Sequence, residues 1–268
     1  MQGYRGTAYE ERKVTDSKKR FEVALEAAAS ASSFLLSHEN LRHEINRKGS
    51  NDYVTLADKK CEEIIINRIL ESFPYDAVLG EESGKRGDTE SRWIIDPIDG
   101  TVDFMSSFPN YTVSIAYEDE EGIVFGVVSV PRQNEVFSAY RGEGAYLNGK
   151  RIYTDETTPL SETVAILVPP HRYHELLDGY MVKMRKFYEH VSDMRSLGSA
   201  AISLCYTAAG RVSMYYELGL HIYDIAAGVI ILKEAGGSVS LSSDDDDWID
   251  VAASASVYHD ELLEIIND

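Results

Sequence analysis

Apolar positions recur at helical spacing in the N-terminal part of the chain and give way to β-branched and aromatic runs further on. The stretch Asp16 to Ser37, "DSKKRFEVALEAAASASSFLLS", has the Ala/Leu/Phe spacing of an amphipathic helix. "LADKKCEEIIINRILESF" (56–73) predicts a second helix, with Ile64, Ile65, Ile69 and Leu70 as its inner face. Between them "NRKGSNDYVT" reads as a turn-rich link. From Tyr111 onward, β-branched and aromatic runs are broken by Glu-Gly, Pro131 and Asn-Gly, the pattern of an antiparallel meander. "ETVAILVPP" (162–170) is a further strand. "HELLDGYMVKMRKFYEH", "SAAISLCYTAAG" (199–210) and "IYDIAAGVIILKEAGG" (222–237) then read as helices, the last two closing at Gly210 and at a glycine pair. The acidic run Asp244–Asp247 lacks turn glycines and reads as a solvated loop rather than a calcium loop. Together these elements predict a layered α+β domain.

Three acidic stations stand out against this pattern. "WIIDPIDGTVDF" (93–104) runs a buried strand end into Asp96, breaks regular pairing at Pro97, and turns tightly through Asp99, Gly100 and Thr101. Closely packed carboxylates repel unless something positive sits among them. Hard divalent cations take oxygen ligands, so Asp96 and Asp99 on a bent backbone suit adjacent ions. The amides of Gly100 and Thr101 suit a phosphate if a helix begins there. A helix-capping Asx turn is the alternative reading. The second station is Glu81-Glu82 in "VLGEESG" (78–84), where an exposed turn is the alternative. The third is Asp224 in "IYDIAAG", which opens an apolar helix, where a capping role is the alternative.

Composition narrows the class. With 268 residues the chain can bury a large core, and its 44% hydrophobic and 26% charged residues are ordinary for a globular protein. The 45 acids against 26 basic residues give a net charge of −19, which argues against nonspecific binding to nucleic acid or to an anionic membrane. Cys61 and Cys205 match no disulfide framework or zinc spacing and read as buried thiols. The N-terminal stretch has no apolar signal core, and no run approaches the roughly 18 apolar residues of a membrane span, so a cytoplasmic protein is expected.

"GEES", "DPIDGTVDF" and "YDIAAG" followed by "EAGG", in this order, resemble the inositol monophosphatase family of Mg2+-dependent, lithium-sensitive phosphatases. That family also includes archaeal-type fructose-1,6-bisphosphatases and adenosine bisphosphate nucleotidases. The resemblance runs from about Lys18 to the C-terminal region, leaving the first 15 or so residues as an extension. It implies a layered α-β-α-β-α sandwich. Residues 1–160 would form an α+β lobe with most of the metal ligands, and residues 161–268 an α/β lobe with the third station.

The resemblance also implies roles. Glu81, Asp96 and the carbonyl of Ile98 would hold one Mg2+, and Asp96, Asp99 and Asp224 a second; a third ion would use Glu81 and waters. Thr101 and Glu81 would orient or deprotonate the attacking water, with Asp58 orienting Thr101, and phosphate would leave without a covalent phosphoenzyme. Gly100 and Thr101 would cradle the phosphate, and Gly198, Ser199, Glu217 and Asp224 would border the substrate. Glu217, in "YYELGLHIYD", favours inositol monophosphate, since a carboxylate accepts from paired ring hydroxyls; a turn residue before Leu-Gly is the alternative reading. His221 reads as structural, because Mg2+ does not favour imidazole. Arg172, Arg185 and Arg195 are the candidates for a second-phosphate clamp, and the lack of an obvious cluster favours a monophosphate.

Two departures from the family pattern are visible. Tyr223 stands where the family has Trp, and Asp103 where it has Asn. The expected partner is a small phosphorylated polyol or sugar, with no nucleic acid and no membrane; family members are often homodimers. The alternatives are a fructose-1,6-bisphosphatase or broad sugar phosphatase and, in another class, a noncatalytic metal- or phosphate-binding protein. The last would show as a lost metal carboxylate or a lost Thr101, and all of these are present.

Overall fold

The computed structural model describes residues 3–49, 52–171, 173–245 and 248–267. The chain begins with a long helix, α1 (Gly3–Ser37), which starts well before the expected Asp16. The expected link at 46–55 is instead an antiparallel hairpin, β1 (Ile45–Gly49) and β2 (Asp52–Thr55). Helix α2 (Leu56–Ser72) follows, opened by a capping box between Thr55 and Asp58. Its inner face is Cys61, Glu62, Ile65, Ile66 and Ile69; Ile64 and Leu70, expected there, are half-buried.

Strands β3 (Ala77–Gly80), β4 (Gly84–Arg86) and β5 (Arg92–Asp99) lead to the short helix α3 (Thr101–Ser106). The meander is β6 (Thr112–Asp119), β7 (Gly122–Val130), β8 (Glu135–Tyr140), β9 (Gly144–Leu147) and β10 (Lys150–Arg151). These strands form an eight-stranded sheet in the order β10-β9-β8-β7-β6-β5-β3-β4, antiparallel except where β3 meets β5. The register of β5 against β6 shifts between Asp96 and Asp99, around Pro97, which has no N–H for the ladder.

The remainder comprises β11 (Val164–Val168), α4 (Leu177–His190), β12 (Asp193–Arg195), α5 (Ala200–Ala208), β13 (Met214–Leu220), α6 (Ile222–Glu234), β14 (Gly237–Asp245), β15 (Trp248–Ala255) and α7 (His259–Asn267). Its sheet has five strands in the order β12-β11-β13-β15-β14. The acidic run is partly strand: β14 continues through Asp245, and Asp246 and Asp247 lie outside the described residues.

Strand alternation builds the layers. Trp93 and Ile95 point with Val113, Ile115, Phe125 and Val127 toward α1 and α2. Their neighbour Ile94 points the other way, with Ala116 and Val128, into a core shared with α5 and α6. Ile166, Val168, Tyr215, Val251 and Ala253 of the smaller sheet reach the same core. Ala165, Leu167, Met214 and Tyr216 face outward onto Tyr180 and Phe187 of α4 and Leu262 and Ile265 of α7. The result is a layered α-β-α-β-α sandwich, with α5 and α6 packed between the two sheets. Among the described residues no helix is long and apolar enough to cross a membrane.

Candidate active site

The bulged end of β5 and the N-termini of α3, α5 and α6 converge. The bulge turns Asp96 and Asp99 to the same side, and the Asx turn from Ile98 N–H to Asp96 Oδ1 (3.0 Å) fixes the bend. Gly100 follows with φ +92°, a left-handed conformation that glycine adopts without penalty. A Cβ there would sit 3.2 Å from the carbonyl of Gly198 and 3.3 Å from Ser199 Cβ, so the turn packs directly on the entrance to α5.

That contact delivers Asp99 to the N-terminus of α5. Its Oδ2 accepts from Ser199 Oγ (2.6 Å) and Ala201 N–H (2.7 Å), and its Oδ1 from Ala200 N–H (3.4 Å). The helix end supplies amides and a partial positive charge to a carboxylate buried to 8% exposure. Ser199 also accepts from Ile202 N–H and thus caps α5. It is buried, with its hydroxyl committed to Asp99, whereas Gly198 beside it is exposed.

Asp224 enters from α6. It is the third helical residue rather than the cap, and its Oδ2 accepts from His221 N–H at 2.6 Å. Asp96, Asp99 and Asp224 each bring a carboxylate oxygen to within 4.8 Å of the other two, and all three are buried. Glu81, on the turn after β3, is half-buried and within hydrogen-bonding range of Asp96.

Asp58 occupies the corresponding third position of α2. Its Oδ2 accepts from Thr55 N–H (2.7 Å) and Thr55 Oγ1 (2.5 Å). Its Oδ1 lies 3.2 Å from Thr101 Oγ1, which is also 3.2 Å from the carbonyl oxygen of Ile98. One hydroxyl proton is therefore shared between two acceptors.

The electrostatics are those of crowded acids. Burial first, then the charges of Glu81, Asp99 and Asp224, push Asp96 well above the usual carboxylate range. Burial and the charge of Asp224 push Asp99 up to about 7, against the hydrogen bonds from Ser199, Ala201 and Ala200. Asp58 is likewise pushed to about 7, by burial first and then by Glu81 and Glu82, against its bonds from Thr55. A cation among them would favour the charged forms, opposing both the burial and the mutual repulsion that raise these acids. An all-oxygen set of this kind fits a hard divalent ion.

Around this centre the other expected residues take varied places. Glu217 is buried on β13 and accepts from Tyr215 Oη at 2.6 Å. Tyr215 is held well above its usual range by burial first, then by Glu217 and more weakly by Asp99. Tyr223 stacks on His221 with ring centroids 5.0 Å apart. Asp103 sits against Gly198, where a Cβ would lie 3.1 Å from Asp103 Oδ1, and burial raises it to about 6. Arg185 and Arg195 pair with Glu189 and Asp193, and Arg172 lies outside the described residues.

One buried acid in this region went unread in the sequence. Glu62, 3% exposed, accepts from the amides of Glu82 and Ser83 at 2.9 Å each. The signal for it was its place four residues after Asp58, on the stripe shared with Cys61, Ile65 and Ile69.

Fold and site together define a layered α+β protein with a buried acid cluster suited to a divalent cation. The chain belongs to the inositol monophosphatase family, whose family model matches residues 16–267. It is 39% identical over 221 residues to "Nus factor SuhB" of Pasteurella multocida, covering 81% of this chain and 83% of that one. It is 37% identical over 250 residues to an inositol-1-monophosphatase of Mesorhizobium japonicum, covering 91% and 93%. Among solved structures it is similar to the extragenic suppressor protein suhB of Bartonella henselae, with a TM-score of 0.86 and 34% identity over 92% of this chain and 98% of that one. The family is Mg2+-dependent and acts on phosphorylated substrates.

Proposed function

We propose that this protein is a Mg2+-dependent phosphomonoesterase that releases phosphate from inositol monophosphate. The observation that supports it most is the convergence of Asp96, Asp99 and Asp224 at the N-termini of α3 and α6. Glu81, Asp96, Asp99, Asp224 and the Ile98 carbonyl would hold two or three Mg2+ ions. Bound there, Mg2+ would offset the carboxylate charge and polarise both a water and the phosphate ester.

The chain's own groups supply positioning and proton transfer. The amides of Gly100 and Thr101, at the start of α3, would bind phosphate oxygens. Thr101 and Glu81 would orient a water for in-line attack on phosphorus. As the new P–O bond forms and the ester P–O bond breaks, the water's proton would pass to Thr101 Oγ1, and that hydroxyl's own proton to Asp58. Asp58 is placed to accept that proton, its Oδ1 lying 3.2 Å from Thr101 Oγ1. The leaving alkoxide takes a proton from a solvent water and departs as the free alcohol, and the proton held by Asp58 returns to the hydroxide so formed.

Glu217 and the exposed Gly198 would border the substrate ring, with Tyr215 fixing Glu217. The pairing of Arg185 and Arg195 with neighbouring acids supports a monophosphate over a bisphosphate. Phosphate release from inositol 1-phosphate, fructose 1,6-bisphosphate, glucose 1-phosphate and adenosine 3′,5′-bisphosphate, with Mg2+ and with chelator, tests the reading. A ranking led by fructose 1,6-bisphosphate would replace it with a bisphosphatase.

The names of the SuhB relatives carry a second reading, a Nus factor role. It is compatible with an intact phosphatase site. Against it stands only the net charge of −19, which disfavours direct nonspecific binding to a polyanion.

A further inference from the structure

The buried face of α2 presents two carboxylates, and the chemistry above uses only Asp58. Glu62 lies one turn further along and is 3% exposed. Its Oε2 accepts the amide N–H of Glu82 and its Oε1 that of Ser83, both at 2.9 Å. The preceding Glu81 N–H donates to the carbonyl of Ile95 on β5 at 3.1 Å. Three successive amides of the turn after β3 are therefore tied to two different elements. Gly80 makes room for this: a Cβ there would stand 2.4 Å from Glu62 Oε2 and 2.9 Å from Oε1.

Packing alone does not call for a carboxylate at this place, which lies on the same stripe as Ile65, Ile66 and Ile69. A buried carboxylate is costly unless its oxygens are satisfied, and here the turn satisfies both of them. The turn in turn carries Glu81, whose charge acts on Asp96 and on Asp58.

We propose that Glu62 is a positioning residue: its carboxylate clamps the Glu82 and Ser83 amides so that Glu81 faces Asp96, and it thereby sets the affinity of the site for Mg2+. This rests on the reading of the acid cluster as a Mg2+ site. Asp58 and Glu62 then form a pair on one helix face, the first holding Thr101 and the second holding the Glu81 turn.

The test is Glu62→Gln in the full chain, which puts an amide donor against an amide donor. Hydrogen exchange of the metal-free protein is expected to accelerate at Glu82 and Ser83, with the Ala201 amide unchanged. Calorimetric titration with MgCl2 is expected to show about tenfold weaker binding, the lower end for loss of a residue that orients a metal ligand. Phosphate release should need correspondingly more Mg2+ for half-activation, with KM at saturating Mg2+ unchanged.

A variant that melts earlier yet keeps the wild-type Mg2+ affinity and exchange at Glu82 and Ser83 would overturn the proposal. If Glu62→Gln does not fold, Gly80→Ala, which drives a methyl group against the carboxylate, is read by the same two measurements. A wild-type protein that binds Mg2+ but releases no phosphate would sink the substrate reading while leaving the clamp tested by exchange and calorimetry. A wild-type protein that binds no Mg2+ would overturn the proposal itself.

Discussion

Ser199 donates its hydroxyl proton to Asp99 Oδ2 at 2.6 Å, joining the entrance of α5 to the bulged end of β5. The same serine caps α5 by accepting from Ile202 N–H at 3.2 Å. One side chain thus closes a helix and aims an acid at the cluster. Ser199→Ala is expected to cost about 1–2 kcal/mol of stability, from the lost cap and the lost bond to a buried carboxylate. It should also weaken Mg2+ binding. Urea unfolding and MgCl2 titration check both, and an unchanged Mg2+ affinity would show that Asp99 does not need this anchor.

Asp58 caps α2 through one carboxylate oxygen and faces Thr101 through the other. Asp58→Asn is expected to lower kcat about a hundredfold, in the range for loss of a proton acceptor, with KM close to wild type. Because Thr101 acts through Asp58 in this account, Thr101→Ala combined with Asp58→Asn should be far from additive. Steady-state kinetics of the two single variants and the double variant decide it; additive losses would separate the two residues.

The pH dependence of stability follows from acids held above their usual range. Asp58 and Asp99 are each pushed to about 7, against about 3.8 unfolded. Between those values the folded state binds more protons than the unfolded one, so these groups lower stability as pH rises from about 4 to about 7. Chelated protein is therefore expected to be less stable at pH 8 than at pH 5.5, with saturating Mg2+ recovering the loss. Asp99→Asn should flatten the slope in chelator. Thermal unfolding across this range checks it, and a chelated protein that gains stability toward pH 8 would contradict the burial argument.

Much of the site was legible because its first pieces are local. Asp96, Pro97, Asp99 and Gly100 announce a broken strand end within five residues, and the register shift of β5 is where Pro97 requires one. The layered fold was legible in outline from the periodicities. What joins the pieces was not. Asp224 meets Asp99 only because α6 packs between the sheets, and Ser199 meets Asp99 across a separation of 100 residues. The inner face of α2 was read as Ile64, Ile65, Ile69 and Leu70; Ile65 and Ile69 are buried, but packing on the sheet turns the face toward Cys61, Glu62 and Ile66 and leaves Ile64 and Leu70 half-buried. That rotation hid Glu62. The hairpin at 45–55 was missed because its Lys-Gly-Ser-Asn centre outweighs the few strand-forming residues beside it.

Substrate choice is expected to turn on Glu217. Its carboxylate is held by Tyr215 Oη at 2.6 Å, and glutamine keeps an acceptor for that bond. Glu217→Gln should raise KM for inositol 1-phosphate about tenfold, the loss of one charge-assisted hydrogen bond, while changing glucose 1-phosphate less. The ratio of kcat/KM for the two substrates is the readout. An unchanged ratio would place the ring contacts elsewhere.

The most direct test of the whole account is phosphate release from inositol 1-phosphate by wild type and Asp99→Asn, each with Mg2+ and with chelator. The account predicts turnover in wild type that needs Mg2+, and a loss of at least about a hundredfold in the variant, since Asp99 is a proposed ligand of the second ion. Turnover that survives chelation, or an Asp99→Asn protein as active as wild type, would contradict it.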